Sequence, residues 1–212
     1  YKTLPTFRWR FDSAHPLQLG TDMNDVMIID NAMPDSIVEK WKDHYVNDVR
    51  LTLCRREADE SNPAFLSTMF SLQDMYSVFD CESWLLPYAQ QFNSNIKIKH
   101  LTRSHLNVNT EQDVMVGHTD ILPDKFVDES FYVSCLIFLN PEIDKYVIGN
   151  GLTVGETEIE NVFNRLVIFD GRTWHKADTP IDKFVRLTGY FSFSNIKGLR
   201  ASSYEQKNVW YR

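Results

Sequence analysis

Arg186-Leu187-Thr188-Gly189-Tyr190-Phe191-Ser192-Phe193 alternates with period two, placing Arg186, Thr188, Tyr190 and Ser192 on one side and Leu187, Phe191 and Phe193 on the other, with Val185 before them on the apolar side. Successive side chains on a strand point to opposite faces, so this stretch reads as a strand with one polar and one apolar face. The polar face is expected to line a cavity. There Arg186 offers a guanidinium fork and Thr188 a hydroxyl, a combination suited to a carboxylate.

Working back from that strand, Asn164-Arg165-Leu166-Val167-Ile168-Phe169 is a second β-rich segment, and Asp170-Gly171 after it signals a turn that delivers His175 to a strand end. Further back stand His118 and Asp120, two positions apart, so on extended backbone both side chains leave on the same side and can grip one ion. Two imidazoles and one carboxylate on one side of a metal leave its other side open. The His-x-Asp pair alone is a weak signal. With 6 His and 29 acidic residues in the chain, about one such match arises by chance. Its weight comes from His175 and Arg186.

From about Ile96 onward, segments of this kind recur at Ile96–Val108, Phe131–Leu139, Gly151–Val154, Asn164–Phe169 and Phe184–Phe193. Turn signals such as Asn140-Pro141, Gly149-Asn150-Gly151 and Asp170-Gly171 separate several of them. Short strands at this spacing predict a sandwich or barrel, and with the metal pattern a double-stranded β-helix, or jelly roll. The first third reads differently. After a short strand at Val26–Ile29, Asp35 or Ser36 caps a helix carrying Ile37, Val38, Trp41 and Tyr45 at helical spacing. A second helix is predicted over Ala64–Tyr76 on Phe65, Leu66, Met69 and Tyr76, and a third from Asp80, bent at Pro87. The fold class is therefore mainly β with flanking helices packed on one sheet. The chain is expected to form one domain, with 1–95 as helical support, 96–195 as the jelly-roll core and 196–212 as a tail.

Bulk properties agree with a globular chain. Of 212 residues, 43% are hydrophobic and 24% charged, and 14 Phe, 9 Tyr and 5 Trp suit a bulky β-rich interior. The net charge of −7 repels a phosphate backbone at long range, so general nucleic-acid binding is disfavoured and small or peptide substrates fit better. Cys54, Cys81 and Cys135 are odd in number and lack CxxC spacing, which argues against a disulfide framework or thiolate site and for a reducing compartment. No apolar run reaches the roughly 20 residues of a membrane span. The expectation is a cytoplasmic-type protein with no membrane partner.

Gly117-His118-Thr119-Asp120, Val133-Ser134-Cys135-Leu136-Ile137-Phe138-Leu139-Asn140, Gly151-Leu152-Thr153, Asn164 to Phe169 leading to Trp174-His175, and Arg186-Leu187-Thr188 together resemble the 2-oxoglutarate and Fe(II)-dependent dioxygenase superfamily, in its prolyl-hydroxylase-like branch. The resemblance spans roughly Ile96 to Asn195. Ile28-Ile29-Asp30-Asn31-Ala32-Met33-Pro34-Asp35 also resembles the strand-to-helix entry of that branch. The resemblance implies iron ligands His118, Asp120 and His175, with Arg186 pairing to the distal carboxylate of 2-oxoglutarate and Thr188 assisting. Phe138 departs from the pattern, because relatives often place there a Tyr whose hydroxyl reaches the same carboxylate. Asn150-Gly151 replaces a glycine pair. The implied reaction consumes O2, decarboxylates 2-oxoglutarate to succinate and carbon dioxide, and hydroxylates a C–H bond of a protein, peptide or amino acid. Oxidative N-demethylation on the same site, released as formaldehyde, is an alternative, as is a non-catalytic jelly-roll binding module.

The remaining candidates have plainer readings beside these. His118 and Asp120 fit an ordinary surface turn, His175 a hydrogen-bonded loop, and Arg186 a structural ion pair with Asp120 or Asp170. His100 and His105 are read as packing residues and excluded from the metal set. Asn107, Tyr132, Ser134 and Leu136 face the same cavity by alternation, and Asn107, Ser134 and Leu136 are taken as cosubstrate-binding candidates. Trp174 is expected to anchor packing. The mixed-charge run Arg55–Asn62 reads as a solvated loop, and Arg200–Arg212 as a helix, a partner-binding tail or neither.

Overall fold

The computed structural model describes residues 26–47, 52–54, 65–69, 79–109, 115, 117–121, 130–140, 151–180 and 186–196. At its centre lies the alternating stretch that opened the sequence reading, a nine-residue strand β10 (Arg186–Ser194) buried along its whole length. It pairs antiparallel with β4 (Leu101–Asn109) on one side and β5 (Tyr132–Phe138) on the other. Beyond β5 come β8 (Leu166–Asp170) and β1 (Val26–Ile29), and beyond β4 come β3 (Phe65–Met69) and β2 (Thr52–Cys54). The result is a seven-stranded sheet in the order β1-β8-β5-β10-β4-β3-β2. A smaller sheet contains β7 (Thr157–Ile159), β6 (Leu152–Val154) and β9 (His175–Ala177) in that order.

Alternation divides the interior into two regions. On one side of the large sheet, Val133, Cys135, Ile137, Leu166, Ile168, Leu187, Phe191 and Phe193 join one buried cluster with Ile37, Val38 and Trp41 of α1 (Asp35–Asn47) and Leu85, Leu86 and Ala89 of α2 (Leu85–Phe92). Its aromatic centre is well defined: Phe79 and Trp84 each meet Phe191 edge-on, at centroid distances of 5.7 and 6.3 Å, and Trp41 stacks on Phe79 at 5.2 Å. Such edge-to-face geometry adds to the burial of the rings themselves. On the other side, Leu136, Phe138, Val167 and Phe169 pack with Leu152, Val154 and Ile159, so this second cluster joins the two sheets. Next to it the facing surface of β10 and β4 turns polar, and there the candidate site lies.

Helix α1 carries Asp35 in its first turn, where a carboxylate favours the positive end of the helix dipole. Asn164, held at φ 62°, takes a clasp position at the start of β8: its Oδ1 accepts from Met33 N at 2.7 Å and its Nδ2 donates to Met33 O at 2.9 Å. This ties the entry of α1 to the sheet.

Three expectations need correction. Residues 65–69, assigned above to a helix over Ala64–Tyr76, form β3 and pair with β4 in the register Leu66↔Val108 to Met69↔His105. The spacing of Phe65, Leu66 and Met69 suits either period over so short a run, and the open edge of β4 decides it by satisfying the backbone groups of both strands. With β2 alongside, 1–95 is not a wholly helical support. The third helix begins at Leu85 rather than Asp80, so Pro87 falls in its first turn, where its missing N–H is no loss and no bend is required. The strand predicted from Ile96 begins at Leu101, after a 3-10 turn at Ile98–His100. The side chain of Tyr45, and Tyr76, Arg55–Asn62, Phe184, Val185 and Arg200–Arg212, lie outside what is described. Cys81 and Cys135 are buried thiols, and no helix among the described residues is long and apolar enough to cross a membrane.

Candidate metal centre

His118 and His175 are brought together by backbone alone. Each donates its N–H to the other's carbonyl at 2.9 Å, so the segment carrying His118 lies beside β9 as a further short rung of the small sheet. On its other edge β9 is held by β6, with Val154 opposite His175. Asp120 N donates to Gly171 O at 2.9 Å, which closes the segment against the turn after β8. That turn is stiff. Asp170 accepts from Arg172 N and from its guanidinium, and Gly171 N donates to Tyr132 O at 2.8 Å. Gly171 is required by close approach: a Cβ there would stand 2.3 Å from the Tyr132 ring.

Nε2 of His118, Nε2 of His175 and the Asp120 carboxylate then converge, with one ligand atom from each residue within 4.8 Å of the others. Asp120 Oδ1 lies 3.7 Å from each Nε2. The donor chemistry fits a divalent cation. Nδ1 of His175 is 3.0 Å from Thr173 O; a carbonyl only accepts, so Nδ1 carries the proton and Nε2 keeps its lone pair for an ion. Oδ2 of Asp120 accepts from Ser134 Oγ at 2.5 Å and from Tyr190 OH at 3.0 Å. Burial alone would raise the Asp120 pKa, but the facing His118 and His175 imidazoles and the hydrogen bond from Ser134 outweigh it and hold the carboxyl at about 2. Tyr190, fully enclosed, moves the opposite way: desolvation and the neighbouring carboxylate raise its pKa well above 10, so its hydroxyl remains a neutral donor.

The polar face of β10 continues along the site. Arg186 is 2% exposed and donates to Gly151 O at 3.2 Å, Asp178 O at 2.6 Å and Asn109 Oδ1 at 3.1 Å. These acceptors are neutral oxygens and fix the orientation of the fork. Of the two carboxylates set above as alternative partners for Arg186, Asp170 bonds Arg172 and Asp120 bonds Ser134 and Tyr190. Thr188, buried, stands directly between Asn107 on β4 and Phe138 on β5. Asn107 is therefore a same-face neighbour of Thr188, whereas Leu136 belongs to the apolar cluster between the sheets. Ser134 is directed at Asp120. His105 packs its ring 4.8 Å from that of Tyr190.

Asn109, Asp178, Thr173 and Tyr190 contribute geometry that the sequence reading did not assign. Asn109 follows Asn107 by two and so shares its face, a signal present in the alternation; the Thr173 carbonyl carries no sequence signal at all. Trp174 is only partly the packing anchor expected. Its indole lies across Gly117, where a Cβ would come 2.1 Å from Cζ2, yet 47% of the residue is exposed beside His175.

No family model matches the sequence, and no curated protein matches it. Solved structures do match. A prolyl-4-hydroxylase of Pseudomonas putida is 18% identical over 78% of this chain and 91% of its own, with a TM-score of 0.51. A prolyl hydroxylase from Trichoplax adhaerens, solved with a peptide fragment of the oxygen degradation domain of hypoxia inducible factor, is 16% identical over 85% and 87%, with a TM-score of 0.56. HygX from Streptomyces hygroscopicus, solved with nickel and 2-oxoglutarate bound, is 12% identical over 81% and 83%, also at 0.56. The fold is thus the jelly roll of the prolyl hydroxylases and 2-oxoglutarate-binding proteins of this kind, with the two antiparallel sheets described above.

Proposed function

We propose that this protein is an Fe(II)- and 2-oxoglutarate-dependent dioxygenase that hydroxylates a C–H bond of a protein, peptide or amino-acid substrate. The observation that carries the reading is the convergence of His118, Asp120 and His175 at the polar end of the space between the sheets. Metal-bound and 2-oxoglutarate-bound HygX and the peptide-bound Trichoplax adhaerens enzyme, which share the fold, support the choice of cofactor and substrate class.

In this reading His118, Asp120 and His175 hold Fe(II) and Arg186 pairs its fork with the distal carboxylate of 2-oxoglutarate. When bound, iron and 2-oxoglutarate supply the oxidising chemistry with O2, yielding succinate and carbon dioxide. The protein binds, orients and shields. Thr188, directly across from Phe138, supplies the hydroxyl that Phe138 lacks. Asn107 lines the same face beside Thr188, and Leu136 closes the apolar side. The two helices support the outer face of the large sheet.

An anaerobic titration with Fe(II) and then 2-oxoglutarate, followed by its weak visible charge-transfer band, tests the reading, together with succinate formation in air. The unsubstituted protein is expected to develop the band and form succinate, and His118→Ala or Asp120→Ala to abolish both. Unchanged turnover in these variants defeats the assignment. Formaldehyde among the products would redirect it to N-demethylation.

A further inference from the structure

Tyr190 and Ser134 address one oxygen of Asp120, and the two histidines face the other. Oδ2 takes Ser134 Oγ at 2.5 Å and Tyr190 OH at 3.0 Å, while Oδ1 stands 3.7 Å from both Nε2 atoms. We infer that Tyr190 and Ser134 are positioning residues that clamp Oδ2, so that Asp120 offers a metal Oδ1 alone and the coordination position a two-oxygen grip would occupy stays open. The inference rests on the metal-site reading proposed above.

Proton accounting supports the clamp. Ser134 and Tyr190 each own one hydroxyl proton, and an ionised carboxylate can only accept, so both protons go to Oδ2. The neighbours need neither of them. Tyr132 OH donates to Ser192 Oγ at 3.2 Å; Ser192 Oγ lies 3.0 Å from Thr102 Oγ1, and Thr102 Oγ1 donates to Ser192 O at 3.2 Å. Every hydroxyl from Asp120 to Thr102 thus has one acceptor for its single proton: Ser134 and Tyr190 donate toward Asp120, and Tyr132, Ser192 and Thr102 donate away from it. Tyr190 OH also lies 3.3 Å from Ser134 Oγ and 3.4 Å from Tyr132 OH, which confines it laterally. The ring of Tyr190 is held by His105 at 4.8 Å, and its backbone sits in the central strand of the large sheet.

The consequence for a metal is definite. A carboxylate with both oxygens available can bind an ion through either or both, whereas one with Oδ2 bonded twice binds through Oδ1. Outer partners of metal ligands typically alter metal affinity about 10–100-fold when removed.

The test is an anaerobic Co(II) titration of the purified full chain, read as Kd and as the intensity of the visible d–d bands, for the unsubstituted protein, Tyr190→Phe, Ser134→Ala and the double variant. Each single variant is expected to bind Co(II) about tenfold or more weakly. The double variant is expected to lose less than the product of the two, because both act on one oxygen. Band intensity should fall as Asp120 takes up a second position, a change that a purely structural defect would not produce. Tyr132→Phe, which leaves both bonds to Oδ2 in place, should bind more tightly than either single variant. If Tyr190→Phe and Ser134→Ala, folded by circular dichroism, keep the unsubstituted Kd and spectrum, the clamp is overturned while the metal site stands. If the unsubstituted protein binds no Co(II), the metal-site reading falls and the clamp with it.

Discussion

His118 and His175, far apart in sequence, exchange both of their backbone hydrogen bonds at 2.9 Å, and their rings stand 4.4 Å apart. The site is therefore built into the edge of the small sheet. Whatever moves this rung moves both imidazoles together.

Gly117 gives a way to move it. Its missing side chain makes room for the Trp174 indole, and a Cβ would fall 2.1 Å from Cζ2. Since Trp174 is half exposed, the ring rather than the backbone should yield. Gly117→Ala is expected to lower stability by about 1–2 kcal/mol in the natural background. In a Trp174→Ala background the same change should have almost no effect, because the colliding ring is gone. Urea unfolding of the four proteins measures the cycle, and an equal loss in both backgrounds would rule out this contact as the reason for glycine.

Arg186 and Thr188 separate binding from stability. Arg186 satisfies Gly151 O, Asp178 O and Asn109 Oδ1, so Arg186→Ala leaves buried acceptors without their donor and should destabilise by about 3 kcal/mol or more. Thr188→Val removes only a hydroxyl from a residue of nearly the same shape. It is expected to raise the KM for 2-oxoglutarate about tenfold, the worth of one hydrogen bond, with kcat nearly unchanged. Arg186→Lys should raise KM further, since it keeps the charge and loses the fork. A Thr188→Val enzyme with unaltered KM would remove Thr188 from the cosubstrate site.

Asn164 should be among the most sensitive positions outside the site. Its carboxamide clasps both backbone groups of Met33, its own N–H donates to Phe138 O at 2.8 Å, and its φ of 62° is one that few side chains adopt. Asn164→Ala loses the clasp and strains the backbone, for an expected loss of about 3 kcal/mol or more. Asn164→Gly loses the clasp without that strain and should be about 1 kcal/mol less damaging. Thermal unfolding of the two variants decides, and the reverse order would contradict the strain argument.

Sequence carried the centre of this molecule better than its margins, for a physical reason. Strands β5, β8 and β10 are buried on both sides, so Tyr132–Phe138, Leu166–Asp170 and Arg186–Ser194 read as β-rich runs with short-range clues to each. Alternation along Arg186–Phe193 also gave the polar face of β10. Strand β3 carried no comparable signal, since Phe65, Leu66 and Met69 fit two periods and only the distant partner β4 selects one. Likewise His118, Asp120 and His175 were legible as residue types with a pattern, whereas the roles of Thr173, Asn109 and Tyr190 follow from where three separate segments meet. Trp174 does pack across Gly117, in another segment, while its 47% exposure beside His175 was not legible from the residue alone.

Arg165 and Asp30 supply a pH test at the surface. Arg165 Nε donates to Asp30 Oδ1 at 2.6 Å and Nη2 to Oδ2 at 3.1 Å, a two-pronged pair joining the end of β1 to the residue before β8. The Arg165 hydrogen bond holds the Asp30 carboxyl below its ordinary value of 3.8, against the opposing effect of burial and with the help of the Arg165 charge. A carboxyl depressed in the folded state stabilises above its unfolded value and loses that contribution as pH falls through the folded one. The side chain of Asp30 is 55% exposed, so screening limits the pair to about 0.5–1 kcal/mol. Asp30→Asn should therefore be less stable by that margin throughout pH 5 to 7, and the difference should shrink below the ordinary carboxyl range. Comparing the two proteins by urea unfolding at each pH isolates this pair, because every other titrating carboxyl, Asp120 included, is common to both. A difference that stayed constant down to pH 2 would mean that Asp30 acts through packing or shape rather than through charge.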